Sequence, residues 1–217
     1  MIVTIDGPAG AGKSLVARRL AERLGFRFLD TGAMYRAAAL AALRRGVDWN
    51  DPAAVAVAAN AAQIDVTADR VLLDGDDVTA AIRTVEMTRL TRHTANNPQV
   101  REHLVALQRK VVADGDFVTE GRDQGTVAFP DARCKIFLTA TPEERARRRY
   151  ADLVARGETV TLEEVLAQQN ARDHSDASRA VGPLVAAPDA VEVVTDGLTP
   201  AQVVEKLAGL VQARREA

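Results

Sequence analysis

Short apolar runs alternate along the chain with longer segments in which apolar residues return every three or four positions. The runs IVTID (residues 2–6), FRFLD (26–30), DFVTE (116–120), KIFLTA (135–140) and AVEVVT (190–195) read as strands. The longer segments read as helices. Val16, Leu20 and Leu24 recur at helical spacing, and Gly25 stands where a C-cap belongs, which predicts a helix over 12–24. Further helices are expected over 35–45, 53–62, 84–94 and 98–113. In TPEE, Thr141 is the N-cap, Pro142 the first helical position and Glu144 the partner of a capping box. RGETV breaks that helix, and Thr161 with Glu164 opens another that should reach about residue 173. TPAQ at 199–202 starts a terminal helix.

Strands alternating with helices argue for an α/β domain, a parallel sheet with helices on both faces. Residues 48–97 break the rhythm: IDVTADRVLLDGDDV alternates like a pair of short strands, and the region reads as an insertion outside the central sheet. No internal repeat is present.

Composition narrows the class. The 217 residues suffice for one sizeable domain, and 47% hydrophobic content with a net charge of -2 fits a soluble globular chain. That charge gives no reason to expect a nucleic-acid or membrane partner. The longest apolar stretches are too short to cross a bilayer, and Asp6 interrupts the N-terminal run, so neither a membrane span nor a signal peptide is expected. Cys134 is the single cysteine, which rules out an intrachain disulfide and makes a zinc cluster a poor reading. A cytoplasmic enzyme or switch, acting as a monomer, is the expectation.

GPAGAGKS, residues 7–14, carries the first chemistry. Two glycines with four residues between them, then lysine and a hydroxyl residue, form the P-loop pattern between a strand and a helix. The loop from Gly7 through Pro8, Ala9, Gly10, Ala11 and Gly12 to Lys13, Ser14 and Leu15 is the expected ATP site, its backbone N–H groups facing phosphate oxygens. Lys13 should reach the β- and γ-phosphates and Ser14 should bind Mg²⁺. A P-loop alone could belong to a GTPase, a motor, a DNA-dependent ATPase or a small-molecule kinase. No Asn-Lys-x-Asp motif occurs, which counts against a GTPase, and a motor would need more chain.

Most basic residues are arginine, and many stand at strand ends or loop mouths: Arg36, Arg101, Arg122, the run Arg147, Arg148 and Arg149, then Arg172 and Arg179. Singly, each is more often a solvated surface residue. Together they suit an anionic second substrate, because phosphoryl transfer is catalysed mainly by positioning and by spreading positive charge over the moving group. Arg172 and Arg179 would lie two turns apart if their helix continues.

Beyond the P-loop, LDTGAMYR, IRT, VRE, EGRDQGTVAFPDA, EERARRRY and RDHSDASRAVGPL follow one another in an order that resembles the bacterial cytidylate kinases, over nearly the whole chain. The resemblance implies a P-loop nucleoside monophosphate kinase fold that moves the γ-phosphate of ATP to CMP or dCMP with Mg²⁺. It implies a core of about 1–30, 98–146 and 161–217, a nucleoside-monophosphate-binding insertion of about 31–97, and a lid of about 147–160. Carried over by position, Lys13, Arg122, Arg148, Arg149, Arg172 and Arg179 resemble catalytic residues. Thr31, Arg36, Arg101, Arg122, Asp123, Arg172, Asp176 and Arg179 resemble the acceptor site. Of these, Asp176 and Arg172 look like contacts to the sugar, and Arg101 and Asp123 like the residues that read cytosine. Arg92 stands where the family usually has a serine that also helps bind the base, with Thr91 and Thr94 as possible replacements. Glu120 stands where the family has aspartate. Either Asp30 or Glu120 could act on the metal through water.

Chemistry supports the base-reading pair independently. Cytosine offers an exocyclic amine beside the N3 and O2 acceptors, so a carboxylate can accept while an arginine donates. Uracil reverses the first two groups and would leave the carboxylate unpaired, at a cost of about 1–3 kcal/mol, about tenfold to a few hundredfold in preference. Other acceptors such as UMP, AMP or a metabolite hydroxyl, and a nucleotide-binding regulator without turnover, are the competing readings.

Overall fold

Short segments rich in β-branched or aromatic side chains form the main strands. The computed structural model describes residues 1–67 and 69–216. Residues 1–26 and 116–217 make one compact unit, and residues 27–115 make a second.

The first unit is built on four parallel strands in the order β6-β1-β7-β8, with β1 at Ile2–Asp6, β6 at Phe117–Gly121, β7 at Cys134–Thr139 and β8 at Val191–Val194. β1, β6 and β7 are mostly buried, as strands covered on both faces must be, whereas edge strand β8 buries only Val193 fully. Helix α1 (Lys13–Leu24) follows β1 and buries Val16, Ala17, Leu20 and Ala21. The terminal helix, Pro200–Glu216, packs on α1 and buries Val203, Val204, Leu207 and Val211. Between β7 and β8 lie two helices packed on each other, Pro142–Ala155 and Leu162–Ala177, through Ala146, Leu153 and Val165 with Tyr150, Val160 and Leu166.

The second unit contains β2 (Arg27–Asp30), α2 (Thr31–Arg44), α3 (Pro52–Asn60), a small antiparallel sheet of β3 (Ile64–Val66), β4 (Val71–Leu73) and β5 (Asp76–Asp77), then α4 (Val85–Ala95) and α5 (Pro98–Val111). Its centre is α2, whose alanine run is almost wholly buried and packs against α3, α4 and α5. Small side chains let those helices approach closely. The remaining helices of the first unit are accordingly α6 (Pro142–Ala155), α7 (Leu162–Ala177) and α8 (Pro200–Glu216).

Several local expectations change. Helix α2 begins at Thr31, four residues before the expected start, because the Asp30 carboxylate accepts the Ala33 N–H and caps it there. The insertion holds three short strands, not two. Helix α7 continues past residue 173 to Ala177 but ends before Arg179, so Arg172 and Arg179 do not share a helix face. The expected box on α6 is half made: Thr141 Oγ1 accepts the Glu144 N–H at 3.4 Å, yet the Thr141 N–H goes to Asp196 and the Glu144 carboxylate turns to Arg148. The box on α7 is complete. Among the described residues no helix is long and apolar enough to cross a membrane.

Candidate active site

The register of the first unit decides where its chemistry gathers. Asp6, the last residue of β1, lies level with Gly121, the last residue of β6, so the loops that follow both strands leave the sheet at the same end. This is the carboxyl edge, where ligands of parallel α/β sheets bind. GPAGAGKS leaves from β1, and Arg122 with Asp123 leaves from β6.

Two glycines shape the first loop. At Gly7 the backbone passes so close to β7 that an added Cβ would stand 2.0 Å from the Leu138 carbonyl oxygen. Gly12, the N-cap of α1, has φ 84°, a left-handed conformation that costs a residue with a Cβ. Pro8 and Ala11 are buried, Ala9 is half-buried, and Gly10 and Leu15 are exposed. Lys13 is buried and its Nζ donates to the Pro8 carbonyl at 2.8 Å, folded over its own loop. Burial pulls its pKa down to about 7, helped by Arg122 and Arg172 and opposed by Glu120 and Asp6. Ser14 Oγ donates to Glu120 Oε1 at 2.5 Å, which brings together two residues expected at the metal.

The arginines sort into two sets. Arg122 Nε donates to Asp176 Oδ2 at 2.8 Å, and Arg179 donates to the other oxygen of the same carboxylate. Asp176 is thus a clamp between two guanidinium groups. Burial raises its pKa, but Arg122 and Arg179 outweigh that and hold the carboxyl below its ordinary value. Arg172 is exposed on α7 one turn before Asp176. Arg148 faces elsewhere: it donates to Glu144 Oε1 and, through both terminal nitrogens, to the hydroxyl and carbonyl of Thr195. Those bonds tie α6 to the segment after β8. Arg149 is half-buried on the same helix.

Asp123 is buried at the start of a single π-helical turn, Gln124–Ala128. Strand β6 has ended at Gly121, so Arg122 and Asp123 lie in the bend between that strand and the turn.

Three residues of this unit escaped the sequence reading. Asp6, 4% exposed, accepts the N–H groups of Gln124 and Gly125 at 2.8 and 2.7 Å. Asp173 accepts the Ala9 N–H at 3.3 Å. Arg145 donates to Asp173 and to the Ala9 and Ala140 carbonyls, so Ala9 is held through both of its backbone polar groups. The only legible signal was at Asp6, a lone charge closing an apolar strand.

The second unit carries the other expected site residues. Thr31 is the first residue of α2 and is buried, and Arg36 is half-buried on the same helix. Asp30 is occupied as the cap of α2, and its Oδ2 is 3.8 Å from Arg83. Arg101 is buried, lies over the Tyr35 ring at 5.4 Å and donates to the Ala95 carbonyl at 3.1 Å. Arg92 is exposed and turns to His93, while the hydroxyls of Thr91 and Thr94 donate to the carbonyls of Met87 and Tyr35. Thr94 is the hydroxyl placed beside Tyr35, whose ring carries Arg101.

Known proteins match this chain in sequence and in fold. The sequence model of the cytidylate kinase family matches residues 3–213. A cytidylate kinase of Rhodopirellula baltica is 52% identical over 212 residues, 98% of this chain and 93% of that protein. One of Mycobacterium avium is 49% identical over 221 residues, 100% of this chain and 97% of its own. A bifunctional pantoate ligase/cytidylate kinase of Synechococcus elongatus is 49% identical over 224 residues, 98% of this chain and 42% of the larger protein. Among solved structures, a gluconokinase of Sinorhizobium meliloti superposes with a TM-score of 0.51 at 16% identity, covering 99% of this chain and 93% of that one. That likeness speaks to the fold, a parallel sheet flanked by helices behind a P-loop. The chain belongs to the cytidylate kinase family.

Proposed function

We propose that the protein transfers the γ-phosphate of ATP to CMP or dCMP, giving CDP or dCDP, as a monomer in the cytoplasm. The observation that carries this reading is the register of β1 and β6, which brings the P-loop with Lys13 and the Arg122–Asp123 segment to one edge of one sheet. The loop from Gly7 to Leu15 binds ATP, with Lys13 moving from the Pro8 carbonyl to the phosphates. Arg122, Arg172 and Arg179 hold the acceptor phosphate and spread the charge of the moving phosphoryl group. Asp176 fixes Arg122 and Arg179 beforehand, and each of its oxygens keeps a lone pair for an acceptor hydroxyl. Asp123 reads the exocyclic amine of the base, and in the second unit Arg101, Thr31 and Arg36 keep the acceptor roles that the resemblance implies for each. No general base is required, since the attacking phosphate oxygen of CMP is already ionised near neutral pH.

Ser14 and Glu120 form an all-oxygen pair of the kind a hard divalent cation takes, and among the described residues no group of three His, Cys, Asp or Glu offers a fuller cage. That fits Mg²⁺, which keeps most of its shell as water and phosphate oxygen. Glu120 suits it better than Asp30, whose carboxylate is spent as a helix cap. When bound, the ion neutralises phosphate charge. Residues of about 31–97 supply acceptor contacts and about 147–160 serve as the lid, with Arg149 as its catalytic arginine. Arg148, bound to Glu144 and Thr195, must leave those partners to contribute.

A coupled assay of ADP formation with ATP, Mg²⁺ and each of CMP, dCMP, UMP and AMP tests the reading. Turnover should be fastest with CMP or dCMP. Fast turnover on UMP or AMP with none on CMP would overturn it.

A further inference from the structure

A turn that opens without a side-chain cap leaves its first backbone N–H groups to find partners elsewhere. The π-helical turn after Asp123 is such a turn: Asp123 stands at its N-cap with φ -143° and makes no side-chain cap bond. The two amides that follow, Gln124 and Gly125, are both taken by the carboxylate of Asp6, one oxygen each, from a residue at least 118 positions earlier in the chain. The approach is close. A Cβ built on Gly125 would stand 3.0 Å from Thr4 Oγ1, 3.2 Å from Lys135 Cδ and 3.4 Å from Asp6 Oδ2. The backbone next to Asp123 is therefore pinned at two successive residues, and one backbone and two side-chain torsions separate that anchor from the Asp123 carboxylate.

We propose that Asp6 is a specificity-positioning residue: it touches no substrate, but by holding the Gln124 and Gly125 amides it sets where the Asp123 carboxylate meets the exocyclic amine of the acceptor base. The inference rests on the reading of Asp123 as the residue that reads the base. Geometry explains why such an anchor matters. Recognition of an amine by a carboxylate is a short, directional hydrogen bond, and a displacement of about 1 Å at a reacting or recognised group costs about a hundredfold. The environment of Asp6 shows that its place is not a default for a carboxylate. Burial pushes its pKa up to about 6, the two backbone bonds pull the other way, Asp123 adds repulsion and Lys13 adds attraction. A chain that only had to close β1 could place a neutral residue there, without a buried charge facing Asp123.

The experiment compares the ratio of kcat/KM for CMP to that for UMP in the wild type, Asp6→Asn, Gly125→Ala, Asp123→Asn and Asp6→Asn/Asp123→Asn, with circular dichroism to check folding. Asparagine keeps one acceptor but turns a donor toward the other N–H. Asp6→Asn should lower the ratio by about tenfold or more, mainly by raising KM for CMP, with KM for ATP within about twofold. Gly125→Ala, which keeps Asp6 and pushes the same backbone, should shift the ratio in the same direction. The double variant should be no less selective than Asp123→Asn alone, because both changes act on one contact. Equal losses on CMP and UMP in Asp6→Asn, or a loss carried by KM for ATP, would overturn the inference and leave a structural or Lys13-directed role. If Asp6→Asn does not fold, unchanged selectivity in Gly125→Ala overturns it. Asp123→Asn that keeps its selectivity would instead sink the base-reading assignment itself.

Discussion

Lys13 shows how far one residue's behaviour depends on its burial. Buried and facing Arg122 and Arg172, its ammonium has a pKa near 7, so above that pH the free protein holds it neutral against the Pro8 carbonyl. A polyphosphate must raise that pKa again, because an anion within hydrogen-bond reach favours the charged form. ATP binding at pH 8 should therefore take up close to one proton, and at pH 6, where Lys13 is already charged, almost none. Calorimetry in buffers of different ionisation enthalpy measures the uptake directly, and equal values at both pH would contradict it. Lys13 itself was legible in the motif, and so was Ser14. The choice of its partner was not: Asp30 and Glu120 were both candidates for the metal, and the 2.5 Å bond from Ser14 to Glu120 needs β1 and β6 side by side.

At the scale of elements, local chemistry was read well where a helix begins and less well where its neighbours intervene. Thr161 and Glu164 make their capping box on α7 because both partners sit within one turn. Thr141 and Glu144 have the same pattern but not the same outcome, since Asp196 reaches the Thr141 amide first. Replacing Thr161 with alanine should cost about 1 kcal/mol, or about 2–4 °C in Tm for a chain of this size. Thermal unfolding checks this, and a drop beyond about 8 °C would mean that the cap supports more than its own helix. The π-helical turn at Gln124–Ala128 had no sequence signature at all, because its first N–H groups are satisfied from β1 and not from within.

Over the whole molecule, the chain divides into a unit of residues 1–26 with 116–217 and a unit of residues 27–115. Cys134 reports on the first. It is 2% exposed on strand β7, between β1 and the edge strand, and burial pushes its thiol up to about 11 despite Arg214 nearby. At pH 8 only about one thiol in a thousand is then ionised, so modification of the native protein should be slow and should rise as pH approaches 11 or as the sheet opens. Its labelling rate in urea should follow the global unfolding curve of this unit. A fast phase in native buffer would show that β7 opens locally. The order of the main strands and helices, the phosphate loop and the family were already determined by the sequence, because apolar period, caps and a contiguous loop motif are short-range properties of the chain. Only the tertiary structure decided that Asp176 clamps two arginines, that Arg148 is tied to Thr195 and that Asp6 anchors the backbone after Asp123. Arg179 is three residues from Asp176, but the other contacts join residues 47 or more positions apart, and their meeting depends on strand register and close packing, which no local pattern encodes.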